Sequence, residues 1–253
     1  MSRHPAPLRR EGIVVGRQDL GESDRILRLL TPDAGRVSVV ARGARTARSR
    51  WAELDVGTRA TVHLRPGRGD LEVLVSADVA DARVRLRGTL ENLTLALHAC
   101  ELIGGLARTA QPEPRLYGLL EMALTLLDAM DGPTGDAFRA GLETKALSFA
   151  GFAPVLDACV VCRGPLEPTM LLLVTSASAR HAACARPDEG QAVPVTGAYC
   201  AALEAARRAP LRDLVDTMLP AGPRDAVARG VEHQLGHALH ARIVLDAVVG
   251  GAA

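Results

Sequence analysis

Four side chains of the metal-ligating types occur as two closely spaced pairs in the second half of the 253-residue chain. Cys159 and Cys162 are two residues apart, and His181 and Cys184 repeat that separation after 18 intervening residues. This spacing is typical of structural zinc sites, because each pair directs two ligands at one ion and thiolates with imidazole suit tetrahedral Zn²⁺. Four protein ligands leave no open position for water, so the predicted role is structural. The alternative is a chance Cys-x-x-Cys beside a buried cysteine and a surface histidine.

Patterns that carry catalysis are not evident elsewhere in the sequence. We find no phosphate-binding GxxxxGK[ST] loop, no acid pair and no nucleophile elbow. His233, His237 and His240 recur at helical spacing without an accompanying cysteine or carboxylate pattern, which favours a solvated helix face. We therefore predict that the protein is not an enzyme.

The net charge of +1 conceals two halves of opposite sign. Residues 1–87 hold 17 arginines and 11 acidic residues, a balance of +6, whereas residues 88–253 hold 13 basic and 18 acidic residues, a balance of −5. Such asymmetry indicates a class of partner. The segment from Ala34 to Arg50 contains no acidic residue, and its arginines are Arg36, Arg42, Arg45, Arg48 and Arg50. It is either a phosphate-binding surface or a solvated arginine-rich loop.

Residues 11–79 have the pattern of a small β-barrel. Short apolar or alternating runs predict strands over 12–16, 25–31, 37–41, 58–64 and 71–75, with a hairpin connection at 66–70. Five short strands joined by turns of mixed length favour a closed barrel such as the OB-fold.

Helical periodicity begins near Leu90. Helices are predicted over 93–103, 114–130, 134–150, 197–208 and 224–248, with Thr196 as an N-cap and Gly151 as a C-terminal stop. The predicted fold class is α+β: an OB-fold barrel over residues 1–80, then an α-helical domain over 81–253 with a small zinc-binding insert at about 157–188.

Features of export or membrane insertion are not evident. The first ten residues lack an apolar core, and the apolar stretch Leu93–Ala107 is short and interrupted by His98 and Glu101. Five cysteines, an odd number, suggest a reducing compartment. We expect a cytoplasmic protein without a membrane partner.

Three stretches together resemble the RecO family of bacterial recombination mediators. They are Arg10–Thr31 with its Gly21–Glu22–Ser23–Asp24–Arg25 turn, Gly35–Arg50, and Leu142–Cys162 with its Gly151–Phe152–Ala153–Pro154 motif. The resemblance extends from about residue 9 to the last helix, and it implies the same OB-fold, helical domain and zinc insert. The family's insert usually carries four cysteines, so His181 at the third ligand position is a departure from the family's pattern.

The resemblance also implies a function. RecO-like proteins bind single- and double-stranded DNA, anneal complementary strands and engage the acidic C-terminal tail of single-strand-binding protein (SSB). With RecR they help load RecA onto SSB-coated DNA in RecF-type repair, so nucleoid association during repair is expected.

The resemblance and the charge pattern together suggest where DNA binds. The candidate DNA-binding residues are Arg36, Arg42, Arg45, Arg48, Arg50 and Trp51. Trp51 is the one aromatic residue among the first 87, although OB-folds usually stack bases on several aromatic side chains. We therefore expect phosphate contacts to dominate and base preference to be small.

The acidic second half is better suited to protein partners than to DNA. For the SSB tail, the arginine cluster Arg207, Arg208 and Arg212 is favoured over the single lysine, Lys145. Two alternatives remain: a protein adaptor that docks on SSB without binding DNA, and a zinc-dependent enzyme.

Overall fold

The computed structural model describes residues 7–67, 71–185 and 190–250, and it begins with a closed five-stranded barrel. The strands are β1 (Leu8–Leu20), β2 (Asp24–Thr31), β3 (Gly35–Ala41), β4 (Arg59–Pro66) and β5 (Glu72–Asp81). They pair in the order β1-β2-β3-β5-β4, β4 pairs back with β1, and the β3–β5 pair is parallel. This five-stranded barrel confirms the predicted OB-like fold.

The strand β1 is much longer than the predicted 12–16 because it has two partners. Its first half pairs with β4 from Leu8 opposite Leu64, and its second half pairs with β2 as far as Leu20 opposite Asp24. The connection between β4 and β5 includes residues 68–70, so part of the predicted hairpin lies outside the described residues. The two strands are antiparallel, as a hairpin requires.

The two faces of the barrel wall contribute to different cores. Val14, Leu27 and Leu29 point into the barrel, whereas Ile13 and Leu30 belong to the core of the helical domain. Alternate residues of a strand face opposite sides of a sheet, so one wall serves both cores. The barrel is therefore continuous with the helices that follow.

Six α-helices follow the barrel in the described part of the chain. They are α1 (Leu90–Leu106), α2 (Pro114–Ala129), α3 (Asp136–Phe149), α4 (Gly197–Arg208), α5 (Ala226–Leu235) and α6 (His240–Gly250). The central helix α1 packs against β1, α2, α3 and α6. It continues beyond the predicted end at residue 103 through Gly104 and Gly105, and a Cβ on Gly104 would lie 2.8 Å from the Val15 side chain. No helix in the described ranges is long and apolar enough to cross a membrane.

Two predicted helix ends are confirmed, and one predicted helix is wrong. The Thr196 hydroxyl accepts the Tyr199 backbone N–H at 3.1 Å, and Gly151, with φ of 93°, follows the end of α3. The single helix predicted over 224–248 is instead α5 and α6. Gly236 ends α5 in the left-handed region at φ of 72°, a conformation that glycine adopts without strain.

A three-stranded antiparallel sheet lies between α3 and α4. Its strands are β6 (Thr169–Leu173), β7 (Ala179–Arg180) and β8 (Ala192–Thr196), in the order β7-β6-β8. The last three residues of the predicted 157–188 insert belong to the segment 186–189, which lies outside the described residues. The sheet includes β8, which follows that segment.

Two arginines join the barrel to the helices. The fully buried Arg83 side chain donates to the Gly57 carbonyl at 2.6 Å and to the Glu121 carboxylate of α2 at 2.5 Å. At the start of β3, the Arg36 side chain donates to the Gly104 carbonyl at 3.0 Å, and its backbone N–H donates to Arg108 at 2.9 Å. These bonds hold the barrel in one orientation against the helical domain.

The close approach at this junction can be tested with two glycines that share one backbone conformation. Gly35 and Gly21 both have φ of 60°, but a Cβ on Gly35 would lie 2.1 Å from the Gln111 carbonyl oxygen, whereas one on Gly21 meets nothing within 4 Å. We expect Gly21→Ala to cost about 1 kcal/mol through backbone strain alone, and Gly35→Ala about 3 kcal/mol or more. Urea unfolding of both variants measures the difference, and equal costs would contradict the close approach.

Candidate functional site

The two metal-ligating pairs come together in the insert. Cys159, Cys162, His181 and Cys184 each offer a ligand atom, and these atoms all lie within 4.8 Å of one another. Cys159 and Cys162 lie on a turn closed by the Arg163 N–H, which donates to the Cys159 carbonyl at 2.9 Å. His181 and Cys184 follow β7, which pairs with β6 in the sheet. The fold thus brings both pairs to a single point.

The orientation of His181 suits a metal ligand. Its Nε2 lies 2.8 Å from the Pro165 carbonyl oxygen, which can only accept, so Nε2 carries the proton. The unprotonated Nδ1 then faces the Cys162 sulfur at 3.4 Å. Metal-binding histidines typically donate their other ring N–H to such an oxygen. Three sulfurs and one imidazole nitrogen form a donor set compatible with a metal ion such as zinc.

The protonation of the cluster differs from cysteine to cysteine. Burial acts to raise the pKa of Cys159, but the backbone N–H groups of Cys162, His181 and Val161 outweigh it and lower that pKa to about 6. The hydrogen bond that the Cys184 thiol donates to the Cys162 sulfur, together with burial, raises the pKa of Cys184 to about 11. Without a cation, one thiolate therefore forms easily while Cys184 keeps its proton. Metal binding must displace that proton.

The segment from Arg42 to Arg50, termed here the arginine loop, connects β3 toward β4 and rests on the turn between β1 and β2. The Arg45 backbone N–H donates to the Ser23 carbonyl at 2.9 Å, and its side chain lies 3.3 Å from the Asp19 carboxylate and bonds the Gly21 carbonyl. The Asp24 carboxylate accepts the Gly43 N–H at 2.9 Å. The loop backbone is thus held in place by the β1–β2 turn.

Exposed positive charge is concentrated on this loop. Arg42, Arg45, Arg48 and Arg50 are all exposed. Within the described ranges, Arg42 and Arg48 form no ion pair, and Arg50 lies over the Trp51 ring at 4.1 Å from its centroid. The loop therefore presents guanidinium groups that can contact phosphate.

The structure revises the interpretation of Trp51. Its side chain is only 6% exposed and belongs to the barrel core, and its indole N–H donates to the Arg42 carbonyl at 2.9 Å. A buried ring cannot stack on a base, so the prediction that Trp51 contacts DNA is not supported. Its contacts anchor the arginine loop to the barrel.

Arg36 also differs from the other arginines of the predicted set. It lies at the opposite end of β3 from Arg42, about 20 Å away along the strand. Its guanidinium donates to the Gly104 carbonyl and to the Thr109 hydroxyl, so it ties the two domains together. Arg36 is not part of the loop surface.

The arginines predicted for the SSB tail are largely balanced by nearby carboxylates. Arg207 and Arg208 both bond Glu204, and Arg208 also approaches Asp157 at 3.3 Å. Arg212 lies 3.6 Å from Asp213. Lys145 donates to the carbonyls of Ala206 and Arg207, at the end of α4. These positively charged groups are therefore engaged mainly in contacts within the helical domain.

Sequence reasoning missed a cavity of about 110 Å³ in the helical domain. Apolar side chains make up much of its lining, namely Leu95, Met218, Leu219, Val227, Leu245 and Val249. Arg139, Arg224 and Asp136 also line it, and the Asp136 carboxylate accepts the Leu219 backbone N–H at 2.6 Å. Arg224 and Met218 are exposed, and Arg224 has no carboxylate partner among the described residues. The cavity therefore combines an apolar interior with a free guanidinium.

One lining residue of this cavity, Arg139, belongs to a polar cluster. Arg139 donates to Glu143 at 2.8 Å and to Asp246 at 2.6 Å, and His98 lies 2.8 Å from the same Glu143 oxygen. Burial raises the pKa of Glu143, but Arg139 and His98 outweigh it and lower that pKa below its usual value. In the sequence, the sign of this polar cluster is His98, which interrupts the apolar stretch Leu93–Ala107.

Comparisons with known proteins assign the family. Residues 3–83 match the family model described as "Recombination protein O N terminal", and residues 87–238 match "Recombination protein O C terminal". The chain is 37% identical to the DNA repair protein RecO of Anaeromyxobacter sp. (strain K) over 94% of its length and 95% of that protein. It is 35% identical to the DNA repair protein RecO of Myxococcus xanthus, over 90% of the chain and 93% of that protein. The chain therefore belongs to the RecO family.

Proposed function

We propose that this protein is a recombination mediator that binds single- and double-stranded DNA and anneals complementary strands without catalysing a reaction. In this role it acts with RecR and SSB to help load RecA. The observation that carries the proposal is the arginine loop, which presents exposed guanidinium groups on an OB-like barrel. The relatives' name, DNA repair protein, supports the same role.

Contacts to phosphate explain how binding is compatible with annealing. Guanidinium groups bind phosphates irrespective of sequence, and the affinity depends steeply on salt. The one aromatic residue near the loop, Trp51, is buried, so bases are not held by stacking on it. The pairing edges of the bound strand remain free, and a second strand can pair with them.

The loop proposal predicts a change in the salt dependence of DNA binding. For Arg42→Ala/Arg45→Ala/Arg48→Ala, the slope of log K against log salt for single-stranded DNA should become shallower by about 2, since each lost phosphate contact removes about 0.7. Strand annealing should weaken in parallel. Fluorescence anisotropy over a salt series measures the first effect, and a complementary-strand assay measures the second.

A matched control removes the same charge elsewhere. Arg85, Arg87 and Arg108 are exposed and lie outside the loop, so their triple alanine variant should keep the wild-type slope. Equal losses in both variants would indicate a general charge effect and contradict the loop assignment. A wild-type protein that binds SSB but no DNA would instead favour the adaptor alternative.

We further propose that Cys159, Cys162, His181 and Cys184 hold one structural Zn²⁺. Bound there, the ion would link the turn before β6 to the segment after β7, and its four protein ligands would leave no position for a reacting water. The cluster lies in the insert rather than on the barrel, so DNA binding by the arginine loop does not require it.

Element analysis tests the zinc assignment. We expect about one zinc per chain in the wild type and a large loss in Cys162→Ser and His181→Ala, because either change removes a ligand. Chelation should lower the unfolding temperature while leaving oligonucleotide affinity unchanged. Cys200→Ala alters a buried cysteine of α4 outside the cluster and should retain zinc. Full zinc content in His181→Ala would contradict the proposed ligand set.

For the acidic SSB tail, we propose the cavity beside Arg224 as the docking site. An acidic peptide with an apolar end needs a basic rim next to an apolar recess, and Arg224 with Met218 supplies both. The cluster Arg207, Arg208 and Arg212, suggested by the sequence, is the competing location.

Two variants separate these locations. Arg224→Glu should weaken binding of an SSB-tail peptide about tenfold or more, because it replaces attraction by repulsion worth about 1.4 kcal/mol or more. Arg207→Ala/Arg208→Ala should bind as the wild type does, since Glu204 and Asp157 already balance those charges. Calorimetric titration measures both. The reverse pattern would move the site to the end of α4.

A further inference from the structure

A groove of about 520 Å³ separates the outer wall of the barrel from the helical domain. Arg17, Arg28 and Arg36 line it on the barrel side, and His237 and His240 line it on the helical side. Apolar side chains complete the lining, among them Val15, Leu97 and Val244. The groove is separate from both the metal-ligating cluster and the cavity beside Arg224.

Positive charge in the groove is only partly neutralised. Glu101 is the one acidic side chain among the described lining residues, and its two oxygens accept the backbone N–H groups of His240 and Ala241 at 3.0 and 2.8 Å. Of the three arginines, Arg17 pairs with a carboxylate, that of Asp55, at 2.8 Å. The groove is therefore positively charged overall.

The other two arginines have neutral acceptors. Arg28 donates to the amide oxygen of Gln18 at 3.1 Å, and Arg36 donates to a carbonyl and a hydroxyl. Burial and the nearby charge of Arg28 lower the pKa of Arg36. Two like charges that lack an anionic partner repel one another, and an anion between them would remove that repulsion.

The position of the groove on the barrel indicates which anion it fits. In the β2–β3 pair, Leu30 lies opposite Arg36 and Arg28 opposite Ser38, and Leu30 belongs to the core of the helical domain. Arg28 and Arg36 therefore lie on the outward face of β2 and β3. In OB-folds, this strand 2–3 face and the neighbouring loops bind oligonucleotides.

The strand β2 joins the groove to the arginine loop. From Arg28 to the start of β2 at Asp24 the strand covers about 13 Å. The arginine loop begins beside Asp24, whose carboxylate accepts the Gly43 N–H. A nucleic acid strand can therefore pass from the loop along β2 into the groove within the site size of about 4–16 nucleotides seen for OB-folds.

We propose that the groove binds the phosphodiester backbone of a single DNA strand that continues from the arginine loop, with Arg17 and Arg28 as phosphate contacts. The inference rests on the proposed DNA-binding function and extends it to a second surface. The apolar side chains Leu97 and Val244 would contact the sugars and the faces of the bases. An acidic peptide would match the charge but not the continuity with the loop or the OB-fold ligand face.

The experiment compares oligothymidylates of increasing length over a salt series, with unfolding curves as a check on the fold. For Arg17→Gln/Arg28→Gln, we expect wild-type binding of short oligonucleotides that fill the loop alone. For longer ones the slope of log K against log salt should be shallower by about 1.4, since two contacts are lost. Arg36 is left intact because it joins the domains. The control Arg85→Gln/Arg87→Gln removes equal charge and should retain the wild-type slope at every length.

Distinct outcomes overturn different statements. A wild-type protein that binds no oligonucleotide overturns the proposed function and the groove together. Wild-type slopes at every length for Arg17→Gln/Arg28→Gln, with weakened binding by the arginine-loop triple variant, overturn the groove alone. Loss of polyglutamate binding without any change in DNA binding would assign the groove to an acidic protein partner and would also overturn the inference.

Discussion

The buried guanidinium of Arg83 fixes how the two halves of the molecule meet. It bonds the Gly57 carbonyl, just before β4, and the Glu121 carboxylate on α2. Loss of the Glu121 carboxylate would leave the buried guanidinium with Asp81, 3.5 Å away, as its remaining anionic neighbour, and an incompletely compensated buried charge is strongly destabilising. The barrel is therefore held against the helices by an interaction that is strong and directional. The groove between β2, β3 and α1 exists because this orientation is fixed.

Arginine serves two purposes in the basic half of the chain. Arg83 is buried and Arg36 half-buried, and their guanidinium groups donate to backbone carbonyls and a carboxylate across the domain junction. Arg42 and Arg48 lie on a loop whose backbone is held by the β1–β2 turn, and their side chains extend into solvent. The residue type is the same, but burial and available acceptors decide whether an arginine stabilises the fold or remains free for a ligand.

The helical domain also depends on polar contacts that α1 makes to other helices. Glu101 of α1 accepts the first N–H groups of α6, and His98 of the same helix bonds Glu143 of α3, which in turn holds Arg139. Each bond is directional, so α1 fixes the positions of α3 and α6 as well as packing against them.

Local sequence patterns determined the types of the elements, the barrel and the four metal-ligating residues. Alternating and 3.6-residue periodicities, turn residues and the Cys-x-x-Cys and His-x-x-Cys spacings act over a few residues, so they can be read without the fold. The tertiary structure decided the roles of individual side chains. The carbonyl that accepts the Arg36 side chain lies 68 residues away in the sequence, and the carboxylate that accepts the His240 backbone N–H lies 139 residues away. Sequence patterns carry no information over such separations. For the same reason the burial of Trp51 and the basic groove became evident only when distant segments met.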